Sequence, residues 1–385
     1  MNRNFENIRT LFTVILSLTS VVNLVQGQGS NNKSCNLLIG TYTTSPESDG
    51  LYFYDFDTQT GDTKFKSKIA GVENPSYLDI SRDEKHLYTV NESRDGGISS
   101  FTFNRATGNI VFINRASSGG SSPCYVTVDD RNRYVFAGNY GSGSLCAVPL
   151  KEDGSLGDDI QFIQQEGTGI DKSRQKGPHV HCTVLSPDNK YLLTANLGTD
   201  KVCIYQFDAA KMSQPLTPAD PAFVSVSAGS GPRHIVFHPN SKFVYLISEL
   251  GGMITVFDYK DGKLHERQMI TMLSPDFKGR VGAADIHVSP DGKFLYGSNR
   301  GDANELAIYE IGKKGELHYI GHQETMGKTP RNFVIDPTGN FLLVANQDSD
   351  EIIIFRRDQK TGLLTPTGGK IQVYKPVCLK FTMIN

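Results

Sequence analysis

Along this chain, short runs of β-branched, aromatic and aliphatic residues alternate with clusters of Gly, Pro, Asn, Asp and Ser. Runs this short, punctuated by turn residues, predict strands. In the stretch opening at Pro330 they predict four, over 332–335, 341–345, 351–356 and 364–367. Helical repeats of similar period need apolar residues spaced by three and four over long stretches, and this chain has no such spacing.

The same four-run pattern recurs. Six of the seven copies open on Pro and one on Ala, a Pro-Asp-Gly-Lys type of turn follows, and five of the six second runs end in Asn and one in Ser. Openings fall at Pro75, Pro123, Pro178, Pro232, Ala283, Pro330 and Pro376, spaced by 46 to 55 residues. The second runs close at Asn91, Asn139, Asn196, Ser248, Asn299 and Asn346, so the copy at Pro376 lacks its second half. That half is found at the other end, where Leu37-Leu38-Ile39-Gly40-Thr41 precedes Asn91 by one period. Four strands per period and a blade split between the two ends predict an all-β fold, a seven-bladed β-propeller closed by the N-terminal strand.

Ahead of the repeats, Arg3 and Arg9 precede an apolar run over 11–25 that is interrupted by Ser17, Thr19, Ser20 and Asn23. It is too short and too polar for a permanent span, and reads as a secretory leader over 1–27, cleaved near Gly27. A short linker over 28–36 and one propeller domain over 37–385 follow. The mature protein is therefore expected outside the cytoplasm, periplasmic or secreted. Lys+Arg 39 against Asp+Glu 41 gives no global attraction to nucleic acid or anionic membrane, and neither partner is expected. The expected state is a monomer or a weak homo-oligomer. The six cysteines show no metal or Cys-x-x-Cys spacing and are scattered too widely for a disulfide framework; four of them, Cys124, Cys146, Cys182 and Cys203, fall in β-rich runs and read as small buried hydrophobes.

Hairpin geometry then locates the chemistry. Residues entering the first run and leaving the second share one edge of the blade, opposite the Pro-Asp-Gly-Lys turns. On that rim stand His179, His181, Arg233, Glu249, Asp285, Arg300 and Arg331 in one sector, with Glu92, Gln347 and Tyr42 from other copies. An isolated rim charge is ordinary solvated surface. Three arginines, two carboxylates and a His-x-His converging on a channel mouth instead suggest a site for a small anionic ligand, since Arg clamps carboxylate or phosphate in bidentate fashion. Both imidazoles of His179-Val180-His181 could approach one metal along an extended strand, but hydrogen-bonding or acid–base histidines are the preferred reading, and no metal or cofactor is expected. Gly-x-Ser-x-Gly chemistry is unsupported, because no helix follows Gly141-Ser142-Gly143 or Gly229-Ser230-Gly231. The connection over 164–177, carrying Lys172, Arg174 and Lys176, is long enough to cover the rim.

Several of these segments carry a resemblance. Leu38-Ile39-Gly40-Thr41-Tyr42-Thr43, Gly177-Pro178-His179-Val180-His181, Gly231-Pro232-Arg233-His234, Ser248-Glu249-Leu250, Ser298-Asn299-Arg300-Gly301 and Lys328-Thr329-Pro330-Arg331-Asn332-Phe333 resemble, in order, the propeller-type lactonases. That family includes bacterial 6-phosphogluconolactonases and fungal carboxymuconate lactonising enzymes. The resemblance implies lactone ring opening, or closing in the cycloisomerase branch, without a cofactor. It implies catalytic roles for His179 or His181, Arg233, Glu249 and Arg300. Arg233 and Arg300 would hold the anionic substituent or the oxyanion, and Glu249 or a histidine would serve as general base. Arg331, Asp285, Glu92, Gln347 and Tyr42 are the expected substrate-binding residues, Asp285 standing where relatives often have Glu. A cycloisomerase, a secreted lactonase for an unphosphorylated sugar and a non-catalytic binding propeller stay open as alternatives.

Overall fold

The computed structural model describes Met1 and residues 34–383; the leader expected over 1–27 lies outside the described residues. Residues 34–383 form seven four-stranded antiparallel sheets, and the described residues contain no helix. Six sheets are built from four consecutive strands. In the seventh, Pro376–Phe381 pairs with Ser34–Thr41, which pairs with Leu51–Asp57 and then Thr63–Ile69. Leu37 lies opposite Phe381 and Ile39 opposite Leu379. The opening strands of the seven sheets contact one another in a closed round, from Leu78–Ile80 to Pro376–Phe381 and back. The first strand starts at Ser34, three residues before the apolar run that announced it, because Ser34, Cys35 and Asn36 continue the ladder against Asp57, Phe56 and Asp55.

Each blade is a sheet with neighbours on both faces, so its central strands must be apolar on both. Phe341–Asn346 and Phe243–Ser248 are buried at every position. The outermost strands, such as Lys263–Thr271, bury little and are mostly polar. The recurrent turn has a local cause: Ser289 Oγ donates to Asp291 at 2.6 Å and accepts from Phe294 N at 3.0 Å, and Gly292 turns the chain at a φ of 70°. The closing Asn has one too. Asn91, Asn139 and Asn346 each donate from Nδ2 to a carbonyl of the segment entering their own blade, at Glu73, Ser118 and Thr325, which satisfies backbone that would otherwise be buried unpaired.

A register slip at the opening strand places the site. Pro123 pairs with Asn139 but Tyr125 with Gly138; Pro232 pairs with Ser248 but His234 with Ile247; Pro330 pairs with Asn346 but Asn332 with Ala345. One residue per strand is thus bulged out of the ladder: Cys124, Arg233 and Arg331. A bulge bends the strand and re-aims its extra side chain. In the copy read from Pro178, the residue opposite Asn196 is Val180, and the bulged residue is His181. Pro178 is therefore not the register equivalent of the other openings; His181 occupies the position of Arg233 and Arg331, and His179 precedes the strand.

Candidate active site

A cavity of about 250 Å³ opens on this rim. Three lining residues come from bulges: Cys124, His181 and Arg331. Five directly follow a closing residue: Tyr42, Glu92, Tyr140, Glu249 and Arg300. Arg174 reaches in from the connection over 164–177. That connection is pinned by the adjacent Gln175, buried and donating to Leu197 O at 2.9 Å and Asp200 Oδ1 at 2.8 Å.

Glu249 is the electrostatic centre of one wall. Its Oε1 meets Arg174 Nη2 at 2.7 Å, and its Oε2 meets Arg233 Nε and Arg300 Nη2, each at 3.0 Å. Burial alone would raise this carboxyl, but Arg300, Arg233 and Arg174 outweigh it and hold it down to about 2. Arg300 also donates to Gly282 O at 3.0 Å, and Arg174 to the Tyr140 hydroxyl at 3.1 Å. Burial, followed by the repulsion of Arg233, lowers Arg300 to about 9, so it keeps its charge at neutral pH.

Arg233 does not line the cavity. It is 1% exposed and sits behind Glu249, donating to Ala284 O at 2.6 Å and contacting His234 Nε2 at 3.2 Å. Below it, Asp285 accepts from His234 Nδ1 at 2.7 Å, from His287 Nε2 at 3.0 Å and from Asn332. Burial would raise the Asp285 carboxyl, yet His287 and His234 lower it, so it is a buried carboxylate supporting the floor of the site. Gln347 also stands outside the cavity, with its amide on Asp348 Oδ1 at 3.2 Å.

The two histidines of the His-x-His segment bracket Tyr140. The His179 ring stacks on it at 4.5 Å and hydrogen-bonds through Nδ1 to its carbonyl at 2.7 Å, whereas His181 meets it edge-on at 5.4 Å and lines the cavity. Burial, then Arg233 and His234, push the His181 imidazole well below its ordinary 6.5, so it is neutral at neutral pH. The opposite wall carries Tyr42, whose hydroxyl donates to Glu92 Oε2 at 2.9 Å, and Ser76, which donates to the same oxygen. Arg331 lies over the Tyr42 ring at 5.3 Å. Among the described residues it has no hydrogen-bonded or ion-paired partner.

Of the ten residues expected here, six line one cavity: Tyr42, Glu92, His181, Glu249, Arg300 and Arg331. Arg174 is an additional lining residue, and nothing in the sequence separated it from Lys172 and Lys176. Tyr140 and Cys124 were legible as rim positions, but a Tyr and a Cys at strand ends carry no charge signal. No group of His, Cys, Asp and Glu among the described residues has the arrangement of a metal site.

A propeller with a charged cavity of this size at its channel mouth defines a site for a small molecule. The chain belongs to the family of seven-bladed β-propeller lactonases, whose model matches residues 36–381. It is 33% identical over 347 residues to a 6-phosphogluconolactonase of Bacillus subtilis, covering 89% of this chain and 97% of that one. With a 6-phosphogluconolactonase of Formosa agariphila it shares 38% identity over 336 residues, covering 85% and 94%. Among solved structures, the Pseudomonas aeruginosa periplasmic gluconolactonase PpgL is 36% identical, with a TM-score of 0.87 over 91% of this chain and all of that one.

Proposed function

We propose that this protein is a lactone hydrolase of the 6-phosphogluconolactonase type, which adds water to a sugar lactone bearing an anionic substituent. The charge balance of the cavity carries the reading on the substituent. Three guanidinium groups (Arg174, Arg300, Arg331) line it with two carboxylates (Glu92, Glu249), leaving a net positive lining that an anionic substituent would neutralise. Arg233 and Arg300 are already committed to Glu249 and to backbone carbonyls. Arg331, which makes no hydrogen bond or ion pair among the described residues, is the group best placed to take the substrate's anion or the oxyanion that forms at the carbonyl.

Purified mature protein should open 6-phosphogluconolactone with a kcat/KM at least about tenfold above that for neutral gluconolactone. Arg331→Ala should raise KM for the charged lactone by roughly 10- to 100-fold, as for loss of a charged hydrogen bond of about 1.5–3 kcal/mol. A preference for the neutral lactone would transfer the reading to an unphosphorylated sugar, and no opening of any lactone would leave a binding propeller.

The same proposal places the protein outside the cytoplasm, on the leader read over 1–27 and on the similarity to a neighbour described as periplasmic. N-terminal sequencing of protein from its native host should begin near Gln28. An intact Met1 on cytosolic protein would overturn the export reading.

A further inference from the structure

We infer that Glu92 is the general base that activates the attacking water, and that Glu249 is an organiser of arginines. The inference rests on the lactonase reading above. Both oxygens of Glu249 are occupied by guanidinium groups, one by Arg174 and the other by Arg233 and Arg300, so neither is presented to a water. Its depressed carboxyl makes it a poor proton acceptor as well. Glu92 differs in what its oxygens meet. Its two hydrogen bonds come from neutral hydroxyls, those of Tyr42 and Ser76, and both fall on Oε2. Oε1 has no partner among the described residues, and the residue lines the cavity. Burial raises the Tyr42 phenol, so it stays protonated and remains a donor to Glu92.

Position supports the same assignment. The Tyr42 side chain carries Glu92 at its hydroxyl and Arg331 against its ring, so the carboxylate and the unpartnered guanidinium flank one residue. A lactone carbonyl there would have a base for its water and a donor for its developing oxyanion. The water oxygen bonds to the carbonyl carbon while one proton passes to Glu92 Oε1. The tetrahedral intermediate then collapses with cleavage of the ring C–O bond, and Glu92 returns that proton to the departing ring oxygen. One water is consumed and the open-chain hydroxy acid is formed.

Glu92→Gln preserves an acceptor for Tyr42 and Ser76 and should fold with an unchanged melting temperature. Its kcat should fall at least about 100-fold with KM within about threefold of the parent, the signature of an interaction used in the chemical step. Glu92→Ala should be equally slow, and added formate, small enough to replace the missing carboxylate, should restore at least about tenfold of the lost rate. Parental kcat in Glu92→Gln, or an Ala variant that formate leaves unchanged, overturns the assignment of Glu92 while leaving the lactonase reading intact. If the parent itself opens no lactone, it is the lactonase reading that fails.

Discussion

A chain lacking residues 34–43 is expected to lose its cooperative thermal transition and to aggregate on gel filtration. The strand Ser34–Thr41 is paired on both sides, with Leu51–Asp57 and with Pro376–Phe381. Its Leu37, Leu38 and Ile39 side chains are all fully buried. Three such side chains contribute roughly 5 kcal/mol or more, comparable with the whole net stability of many domains. Removing the strand also exposes two edges whose unpaired N–H and C=O groups invite association. A deletion variant that melts like the parent and elutes as a single monomeric species would show that the ring does not depend on this closure.

Glu249→Gln is expected to destabilise the folded protein by about 3 kcal/mol at neutral pH, because it leaves Arg174, Arg233 and Arg300 gathered around a neutral amide. The pH dependence follows from the direction of the shift. The carboxyl lies at about 2 in the folded protein against an ordinary 4.5, so its contribution is fully present above about pH 4.5 and is lost as pH falls towards 2. The gap in stability between parent and variant should therefore narrow over that window. Urea melts at pH 7, 4 and 3 measure it directly. A gap that is absent at pH 7, or constant down to pH 3, would remove Glu249 from its place as counter-ion to the three arginines.

The ring was legible in the sequence, because an orphan half-copy at each end and a recurrent punctuation by Pro, turn residues and Asn are properties of the one-dimensional text. The sector of charge was equally legible, since strand ends can be counted from those marks. Which charges enter the cavity could not be counted. From Pro232 to Ser248, and from Pro330 to Asn346, the spacing is 16 residues, and a bulged strand with a tight turn fits that spacing as well as a regular strand with a longer turn. Only the slip in pairing shows that Arg331 and His181 leave the ladder at equivalent points. Arg233 leaves it there too, yet is covered by Glu249, a contact between neighbouring side chains that no spacing encodes. Arg174 depends on Gln175 anchoring an irregular connection through single hydrogen bonds, and irregular backbone leaves no periodic trace.

The bulges at Cys124, His181, Arg233 and Arg331 have a consequence for substitution. The ladder resumes one residue later in each of these strands, and Cys124, His181, Arg233 and Arg331 place three different side-chain types on the same backbone step. Those that face the cavity, Cys124, His181 and Arg331, behave like the wards of a lock cut into a common barrel, whereas Arg233 is buried and tied to Glu249. A substitution at one of them alters the cavity lining at a step the ladder does not use. Cys124 is the natural first choice, since it lines the cavity and its thiol, which burial keeps protonated, contributes no charge that a replacement must balance.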